Sequence, residues 1–473
     1  MCGFLGLAGG KSPEDLLTCY YNGMLRLQTR GEESAGGSWS DGCRVDGTKG
    51  MGLVPVVFHR DKISEILAAS PKMLIGHTRY STAGGSTVKN AQPHWLHDRK
   101  GRFAIALNGD VPDLAALRLK AEKECGNVYA SENDAEFILK QIDWFIDHEK
   151  PDWHEDFIHG IRRMMQTTRA TYSGGLITGS LLYIFRDPWE NRPLFVGRRG
   201  SLFVAASETT AFSIMHAEVE RQVRGGEILV VQPNGEYRSI EGVPLKKRQW
   251  CVFEWIYFSR PDSVLPTGET CADFRRRLGY KAAACERSSG AQCCADCVMS
   301  VPDSGNFFTD GYAHGMGLER FTGMVRDNYV GRTFIDPGLD TRREKSDRKY
   351  TVLPAIQTVN GGKKITNAVW CDDSIVRLTT MEVLVGKIRK AGYEHIHLRI
   401  SSPPIVSPCH FGIDMKTKDQ LIAANLSVEQ IRQRLGVDSL MYLPLEKLDE
   451  VIREGGIDPE DCCRSCFGAS CAI

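Results

Sequence analysis

The sequence predicts a two-domain protein of mixed α/β class, with an α+β first half made of many short strands and a second half in which strands alternate with helices. Three observations carry this. A chain of 473 residues exceeds what one ordinary hydrophobic core serves, so two domains are the natural division. Through residue 232, short apolar runs recur between turn residues, with few helical stretches. Beyond residue 250, apolar runs alternate with stretches of helical period, the pattern of a parallel sheet with helical crossovers.

Taken in order, residues 2–8 form a short apolar strand. Residues 13–28 have helical spacing, opened by Ser12 as a cap and Pro13 in the first turn, where the missing N–H has no helical partner to lose. Residues 73–78, 103–108, 181–186, 202–206 and 227–232 are apolar strands between turn signals, and residues 134–145 form a helix. The linker is placed between Gln232 and Trp250, giving domains over residues 2–240 and 250–473. In the second half, residues 297–301, 364–371 and 395–400 are strands and 381–391 a helix. Neither an internal repeat nor a low-complexity segment is visible.

The charge balance of 59 basic against 59 acidic residues argues against a nucleic-acid or polyanionic-membrane binder. Local basic loops can still suit a phosphorylated small molecule. No apolar run approaches the roughly 20 residues of a spanning helix. The start MCGFLGLAGGKSPEDLL lacks the basic lead-in and long apolar core of a signal peptide, so a cytoplasmic location is expected. In a reducing compartment the sixteen cysteines act as ligands, nucleophiles or buried small hydrophobes rather than disulfides.

Cysteine at position 2 has a chemical use. Removal of Met1 would leave Cys2 with a thiol and a free α-amine of pKa near 7.7–8.0, so one residue would supply nucleophile and base. Alone, such a cysteine is usually an accident. Arg79, in GHTRYST, is a planar cation suited to a substrate α-carboxylate, with a surface salt bridge as the bland reading. Asp134, in SENDAE, can receive an α-ammonium. Asn108 and Gly109, in ALNGD, can aim a side-chain amide and a backbone N–H at an oxyanion, or simply make a hairpin turn. Together with Cys2 they form a complete site for glutamine hydrolysis.

MCGFLG, LQTRGEESAGG, GHTRYSTAGG, NAQP and the NGD segment resemble the glutaminase domain of class II amidotransferases, an αββα N-terminal-nucleophile hydrolase fold. The resemblance implies Cys2 as nucleophile, Arg79 and Asp134 as glutamine-binding, and Asn108 with Gly109 as the oxyanion hole. Leu107 stands where the family often has histidine, and Asp110 where asparagine is usual. Ser173-Gly174-Gly175-Leu176 is similar to the loop of ATP-pyrophosphatase partners, but Ile177 stands where that motif needs an acid. It is read as a glycine-rich turn.

In the second half, an apolar strand through Trp370 and Cys371 runs into Asp372 and Asp373, then a hydroxyl-rich loop and a helix start. Adjacent acids at a strand end can hold ribose hydroxyls directly or through a divalent cation. The segment of Ser374, Arg377, Thr379 and Thr380 at a helix N-terminus suits a 5-phosphate; a solvated acidic turn is the alternative. The run resembles the signature of type I phosphoribosyltransferases. FRDPWENRPL, CVFEWIYFSRPDSV, SVPDSG, NYVGRTFI, DDSIVR, SSPPIVSPCHFGID and DSLMYL extend the resemblance to the amidophosphoribosyltransferase family over nearly the whole chain. It implies that Ser304, Asp372 and Asp373 bind magnesium and that Asp303, Ser304 and Gly305 form the pyrophosphate loop. Residues 328–335 would belong to a loop that closes over the substrate and shapes an ammonia channel. Leu378 occupies the family's glycine position, where a left-handed leucine would cost roughly 1–2 kcal/mol; Phe307 and Phe308 are bulky beside the pyrophosphate loop.

Cys463 and Cys466 have the C-x-x-C spacing of zinc and iron–sulfur sites. By the resemblance, Cys251 and Cys409 complete a [4Fe–4S] set, with zinc as the other reading. Cys294 and Cys297 are read as buried structural thiols, Cys371 as a core residue and Cys462 as unligated. The function implied is conversion of phosphoribosyl pyrophosphate, glutamine and water to phosphoribosylamine, glutamate and pyrophosphate, in a homotetramer open to purine nucleotide regulators. The alternatives are a paralogue aminating another phosphorylated acceptor and a regulatory relative with an inactive transferase site.

Overall fold

The computed structural model describes residues 1–80, 84–98, 100–149, 156–290, 294–327, 348–355, 358–359, 363–415 and 417–473. The chain divides into two compact units. One comprises Met1–Cys251, His410–Asp414 and Ala472–Ile473, the other Val252–Cys409 and Met415–Cys471. No helix among the described residues is long and apolar enough to cross a membrane.

The first unit has thirteen strands: β1 (Gly3–Ala8), β2 (Ser34–Ser40), β3 (Val45–Met51), β4 (Met73–Arg79), β5 (His94–Asp98), β6 (Gly101–Asp110), β7 (Thr171–Ile177), β8 (Leu182–Arg186), β9 (Phe195–Arg199), β10 (Leu202–Ala206), β11 (Glu218–Gln222), β12 (Glu227–Val231) and β13 (Tyr237–Glu241). They form two sheets, ordered β11-β9-β10-β1-β4-β2-β3 and β13-β12-β8-β7-β6-β5. Side-chain alternation sorts the layers. Leu5 and Leu7 of β1 join the core under the helix Pro13–Leu27. Phe4 and Ala8 turn the other way and meet Ala104, Ala106 and Ile184 between the sheets. Phe103, Ile105 and Leu107 of β6 pack against the helices Asp134–Glu149 and Asp156–Thr167. The result is an αββα sandwich. The helix Pro13–Leu27 starts as its sequence signals, with the Ser12 hydroxyl accepting the Asp15 N–H at 3.2 Å.

Two expectations are corrected here. Residues 173–176 are not a turn but the middle of β7, buried along its length. A Cβ on Gly174 would lie 2.2 Å from the Ala106 carbonyl oxygen, so the glycines permit close strand approach rather than reversal. The stretch after Gln232 is not all linker: Tyr237–Glu241 is an edge strand paired antiparallel with β12. Its polar, largely exposed residues hide it from a search for apolar runs.

The second unit is built on five parallel strands, in the order Arg320–Phe321, Cys297–Ser300, Asn367–Asp372, His395–Ile400 and Ser439–Tyr442. The central strand is buried on both faces, so it reads as the continuous apolar run Ala368–Cys371 instead of an alternation. Trp370 packs edge-on against Tyr393 at 5.2 Å between ring centroids. The predicted strand over 364–371 is shorter at its start, because Lys363–Lys364 pairs elsewhere, with Thr358–Val359. The helix predicted from 381 begins at Leu378. At their C-terminal ends, Cys297–Ser300 and Asn367–Asp372 deliver the loops that carry the acids, the edge where open parallel sheets bind ligands.

Candidate active sites

Cys2 immediately precedes β1, whose Gly3 pairs with Thr78 of β4. Its thiol is buried, 3.5 Å from the Tyr80 carbonyl oxygen. Its backbone N–H donates to Asn108 Oδ1 at 3.2 Å. With Oδ1 so engaged, Asn108 Nδ2 is buried and has no hydrogen-bond partner among the described residues. Buried donors rarely stay unpaired, and one on an amide already bonded to the Cys2 backbone can serve an oxyanion. Asn108 and Gly109 lie within strand β6, which excludes the hairpin-turn reading. Gly109 faces Tyr172, and a Cβ there would fall 2.0 Å from the Thr171 carbonyl oxygen, so no larger residue fits.

Arg79 ends β4. It is 2% exposed and ion-paired with buried Glu33, which excludes a surface salt bridge. Gly31 lets the chain cross it closely, since a Cβ there would meet the Arg79 carbonyl carbon at 2.4 Å. Asp134 is half-buried at the start of its helix, where its carboxylate accepts the Ala135 N–H at 3.0 Å. His77 reports how these groups cluster. Burial depresses its pKa to about 3, against a 3.1 Å contact from Nε2 to the Leu107 carbonyl; the charges of Arg79, Asp134 and the amino terminus also reach it.

Three residues here were quoted in motifs without a role. Arg30, fully buried, donates through Nε to the Cys2 carbonyl at 2.7 Å and pairs with Glu208. Gln92 clamps the Leu107 peptide from both sides, accepting its N–H at 2.8 Å and donating to its carbonyl at 3.1 Å. That clamp fixes the residue before Asn108. Glu33, the partner of Arg79, is the third. The first two lie in polar motifs, LQTRGEESAGG and NAQP, so no local signal in the sequence singles them out.

In the second unit, Ser304 Oγ and Ser374 Oγ donate to the two oxygens of Asp373 at 2.5 and 2.6 Å. The Asp373 N–H donates to Asp372 Oδ1 at 2.8 Å. Both carboxylates are buried. Burial first, and then the charge of Asp373, push the Asp372 carboxyl well above the usual range. A Cβ on Gly305 would meet the Val301 and Cys371 carbonyl oxygens at 2.7 and 2.8 Å, which brings the two loops together. Asp303 is exposed and paired with Arg326 at 2.6 Å. Arg377 precedes the helix Leu378–Lys390 at its N-cap position without a capping bond and bonds Gln420 instead, and Thr379 and Thr380 lie half-buried in the first turn.

The strain expected at Leu378 is not found. Arg377 is extended at φ −118°, and Leu378 is a buried helical residue. The left-handed non-glycine residues described are Ser70, Asp113, Glu190 and His216. Phe308 is buried in the core while Phe307 sits half-buried under Arg276. The loop expected at 328–335 lies outside the described residues.

Cys251 closes the first unit; Cys409, Cys463 and Cys466 belong to the second, and all four are buried. Val406 and Ser407 donate N–H bonds to the Cys466 carbonyl at 2.9 and 3.2 Å. Cys471 Sγ lies 3.6 Å from Cys463 Sγ, and that contact together with burial pushes the Cys463 thiol well up. Cys294 is exposed, so of the pair read as buried thiols only Cys297 is in the core. Among the described residues, the one trio with single-ion spacing is Asp98, Asp143 and Asp147, and Lys100 Nζ already bonds all three at 2.5–2.8 Å.

An αββα sandwich opened by a cysteine, followed by a parallel sheet with twin carboxylates at its strand ends, is an N-terminal-nucleophile hydrolase joined to a type I phosphoribosyltransferase fold. No family model matches the chain. It is 39% identical to the amidophosphoribosyltransferase of Methanothermobacter thermautotrophicus over 466 residues, 98% of this chain and 93% of that protein. It is 35% identical to the Bacillus subtilis amidophosphoribosyltransferase, over 98% of this chain and 93% of that one. The solved B. subtilis glutamine phosphoribosylpyrophosphate amidotransferase, complexed with ADP and GMP, superposes with a TM-score of 0.84 at 33% identity, covering 100% of this chain and 97% of that one. The chain belongs to the amidophosphoribosyltransferase family and is an enzyme of the glutamine-dependent glycosyltransferase class. Relatedness over the full length does not favour a different acceptor or a regulatory relative.

Proposed function

We propose that this enzyme converts phosphoribosyl pyrophosphate, glutamine and water to 5-phosphoribosylamine, glutamate and pyrophosphate, the first step of purine synthesis. Residues 2–240 act as the glutaminase and 250–473 as the transferase. The observation that carries the reading is Asn108, with Oδ1 on the Cys2 N–H and Nδ2 unpaired beside it.

After Met1 is removed, the Cys2 α-amine takes the thiol proton and the thiolate attacks the glutamine side-chain amide. Asn108 Nδ2 and the Gly109 N–H receive the oxyanion. Arg79 holds the substrate α-carboxylate and Asp134 its α-ammonium. Collapse of the intermediate returns the proton to the departing ammonia, and water then hydrolyses the thioester to glutamate. In the transferase, Asp303, Ser304 and Gly305 cradle the pyrophosphate, and Asp372 and Asp373 hold the ribose hydroxyls. Ser374, Arg377, Thr379 and Thr380 bind the 5-phosphate at the helix N-terminus. Ammonia then displaces pyrophosphate from an oxocarbenium-like centre.

Two buried adjacent carboxylates, one with its ionisation opposed by the other, fit a divalent cation. Ser304, Asp372 and Asp373 would hold magnesium, which would supply charge neutralisation for the leaving pyrophosphate. Cys251, Cys409, Cys463 and Cys466 would hold a [4Fe–4S] cluster. In support, all four cysteines are buried, and the Cys463/Cys466 spacing suits iron–sulfur ligation. Anaerobically purified protein is expected to contain about four irons and four sulfides per chain; stoichiometric zinc without iron would overturn the assignment. Cytoplasmic location, a homotetramer and purine nucleotide regulation complete the reading, the last two tested by sedimentation and by inhibition assays.

Replacing Cys2 with serine is expected to abolish glutamine-dependent phosphoribosylamine formation while sparing formation from ammonium at alkaline pH. Equal loss of both activities would count against separate centres. Retained glutamine use would remove Cys2 as nucleophile.

A further inference from the structure

Within the first unit, a short segment from far along the chain lies on the end of β6. His410–Asp414 belongs to this unit by its contacts. Three donors converge on the Phe411 carbonyl oxygen: Thr171 Oγ1 at 3.1 Å, Arg192 Nε at 2.9 Å and Arg192 Nη2. Thr171 and Arg192 are both fully buried. Thr171 opens β7 and pairs with Asp110, one residue beyond Gly109. Gly412 follows at φ +111°, and a Cβ on it would lie 3.4 Å from the Gly109 carbonyl oxygen and 3.4 Å from the Arg192 guanidinium nitrogens. Arg192 also reaches the sulfur of Met1, the residue before the nucleophile. One buried arginine therefore fixes the segment that lies over the end of the oxyanion strand, while its contact with Met1 goes when Met1 is removed.

Three donors on one carbonyl is more than a surface loop needs to satisfy its backbone. Two of them come from a cation whose fork fixes direction as well as distance. We infer that Phe411–Gly412 is a strap that holds the oxyanion end of β6 in register with Cys2, and that Thr171 and Arg192 are positioning residues for amide hydrolysis. The inference rests on the reading of Asn108 and Gly109 as the oxyanion hole. A strap of this kind acts on the transition state, because its target is the pair of donors that meet developing charge, not the groups assigned to glutamine's α-carbon. Small displacements of such donors lower turnover without weakening ground-state binding.

The test is steady-state glutamine hydrolysis by the full-length protein with Thr171→Val, Thr171→Ser, Arg192→Lys and Asn108→Ala. Thr171→Val keeps the shape and removes the hydroxyl; kcat is expected to fall about tenfold with KM unchanged. Thr171→Ser, which keeps the hydroxyl, restores turnover to near wild type. Arg192→Lys, which loses the fork, repeats the fall in kcat and carries the measurement if Thr171→Val does not fold. If Asn108→Ala is inactive but Thr171→Val and Arg192→Lys turn over normally, the strap is overturned and the oxyanion reading stands. If Asn108→Ala retains full turnover, the oxyanion reading fails and the strap with it. A rise in KM at constant kcat would make these residues part of glutamine binding and overturn the inference.

Discussion

His77 carries a neutral imidazole in a pocket crowded with charge. Its ring is fully buried, one nitrogen contacts the Leu107 carbonyl, and its pKa is about 3. The unfolded chain's histidine titrates near 6.5, so between these values the unfolded state binds the extra proton. The stability that His77 contributes is complete above about pH 6.5 and is withdrawn as pH falls toward 3. From this residue alone, the protein is expected to lose about 2 kcal/mol of unfolding free energy between pH 6.5 and pH 5. Chemical denaturation of wild type and His77→Gln across that interval checks it: the variant's curve should be flatter by that amount. Equal slopes would mean that His77 protonates in the folded state.

At the scale of elements, Leu378 shows how a motif can mislead when its backbone is inferred. A loop that ordinarily carries glycine predicts a left-handed turn, yet Leu378 begins a helix and buries its side chain with Ile375, Met381 and Leu384. Leu378→Gly therefore empties a core position, with an expected destabilisation of about 2–5 kcal/mol and no tightening of phosphoribosyl pyrophosphate binding. Thermal unfolding and titration calorimetry of both proteins decide it; a glycine variant that binds more tightly at equal stability would restore the strain argument. Other elements were plain in the residues. Leu202–Ala206 and His395–Ile400 match their predicted strands end to end, the first because it is a run buried on both faces, the second because buried Ile396, Leu398 and Ile400 recur at every second position. Tyr237–Glu241 was missed because an exposed edge strand has no apolar signature. Ser173–Leu176 was misread because glycine marks both turns and close strand contacts, and only the neighbouring Ala106 backbone tells which. In the candidate site, the meeting of Cys2 with Asn108 was legible from chemistry and motif together. Arg30 and Gln92 were not, since each acts on a backbone group that the sequence does not reveal.

For the whole molecule, chain order and spatial unit do not coincide. Residues 410–414 and 472–473 belong to the first unit although a stretch of more than 150 residues of the second precedes them. Truncation after Cys251 would strip from the first unit the carbonyl that Thr171 and Arg192 bond. Met1, meanwhile, is 1% exposed and its sulfur meets Arg192. A peptidase needs an extended, accessible chain end, and the folded protein offers none. On the reading of Cys2 as the nucleophile, the nascent chain would be a zymogen with a deadline, the methionine leaving at the ribosome before β1 enters its sheet. Protein folded with Met1 retained is expected to resist activation by methionine aminopeptidase, whereas the same treatment of the unfolded chain followed by refolding should yield active enzyme. Mass spectrometry and glutaminase assays of the two preparations separate the outcomes. Ready processing of the native protein would show that its amino terminus opens spontaneously. If processing does have to come first, a cell that makes this enzyme faster than it can trim it accumulates well-folded but inert copies, and the supply of active catalyst is set by the kinetics of its birth rather than by its stability.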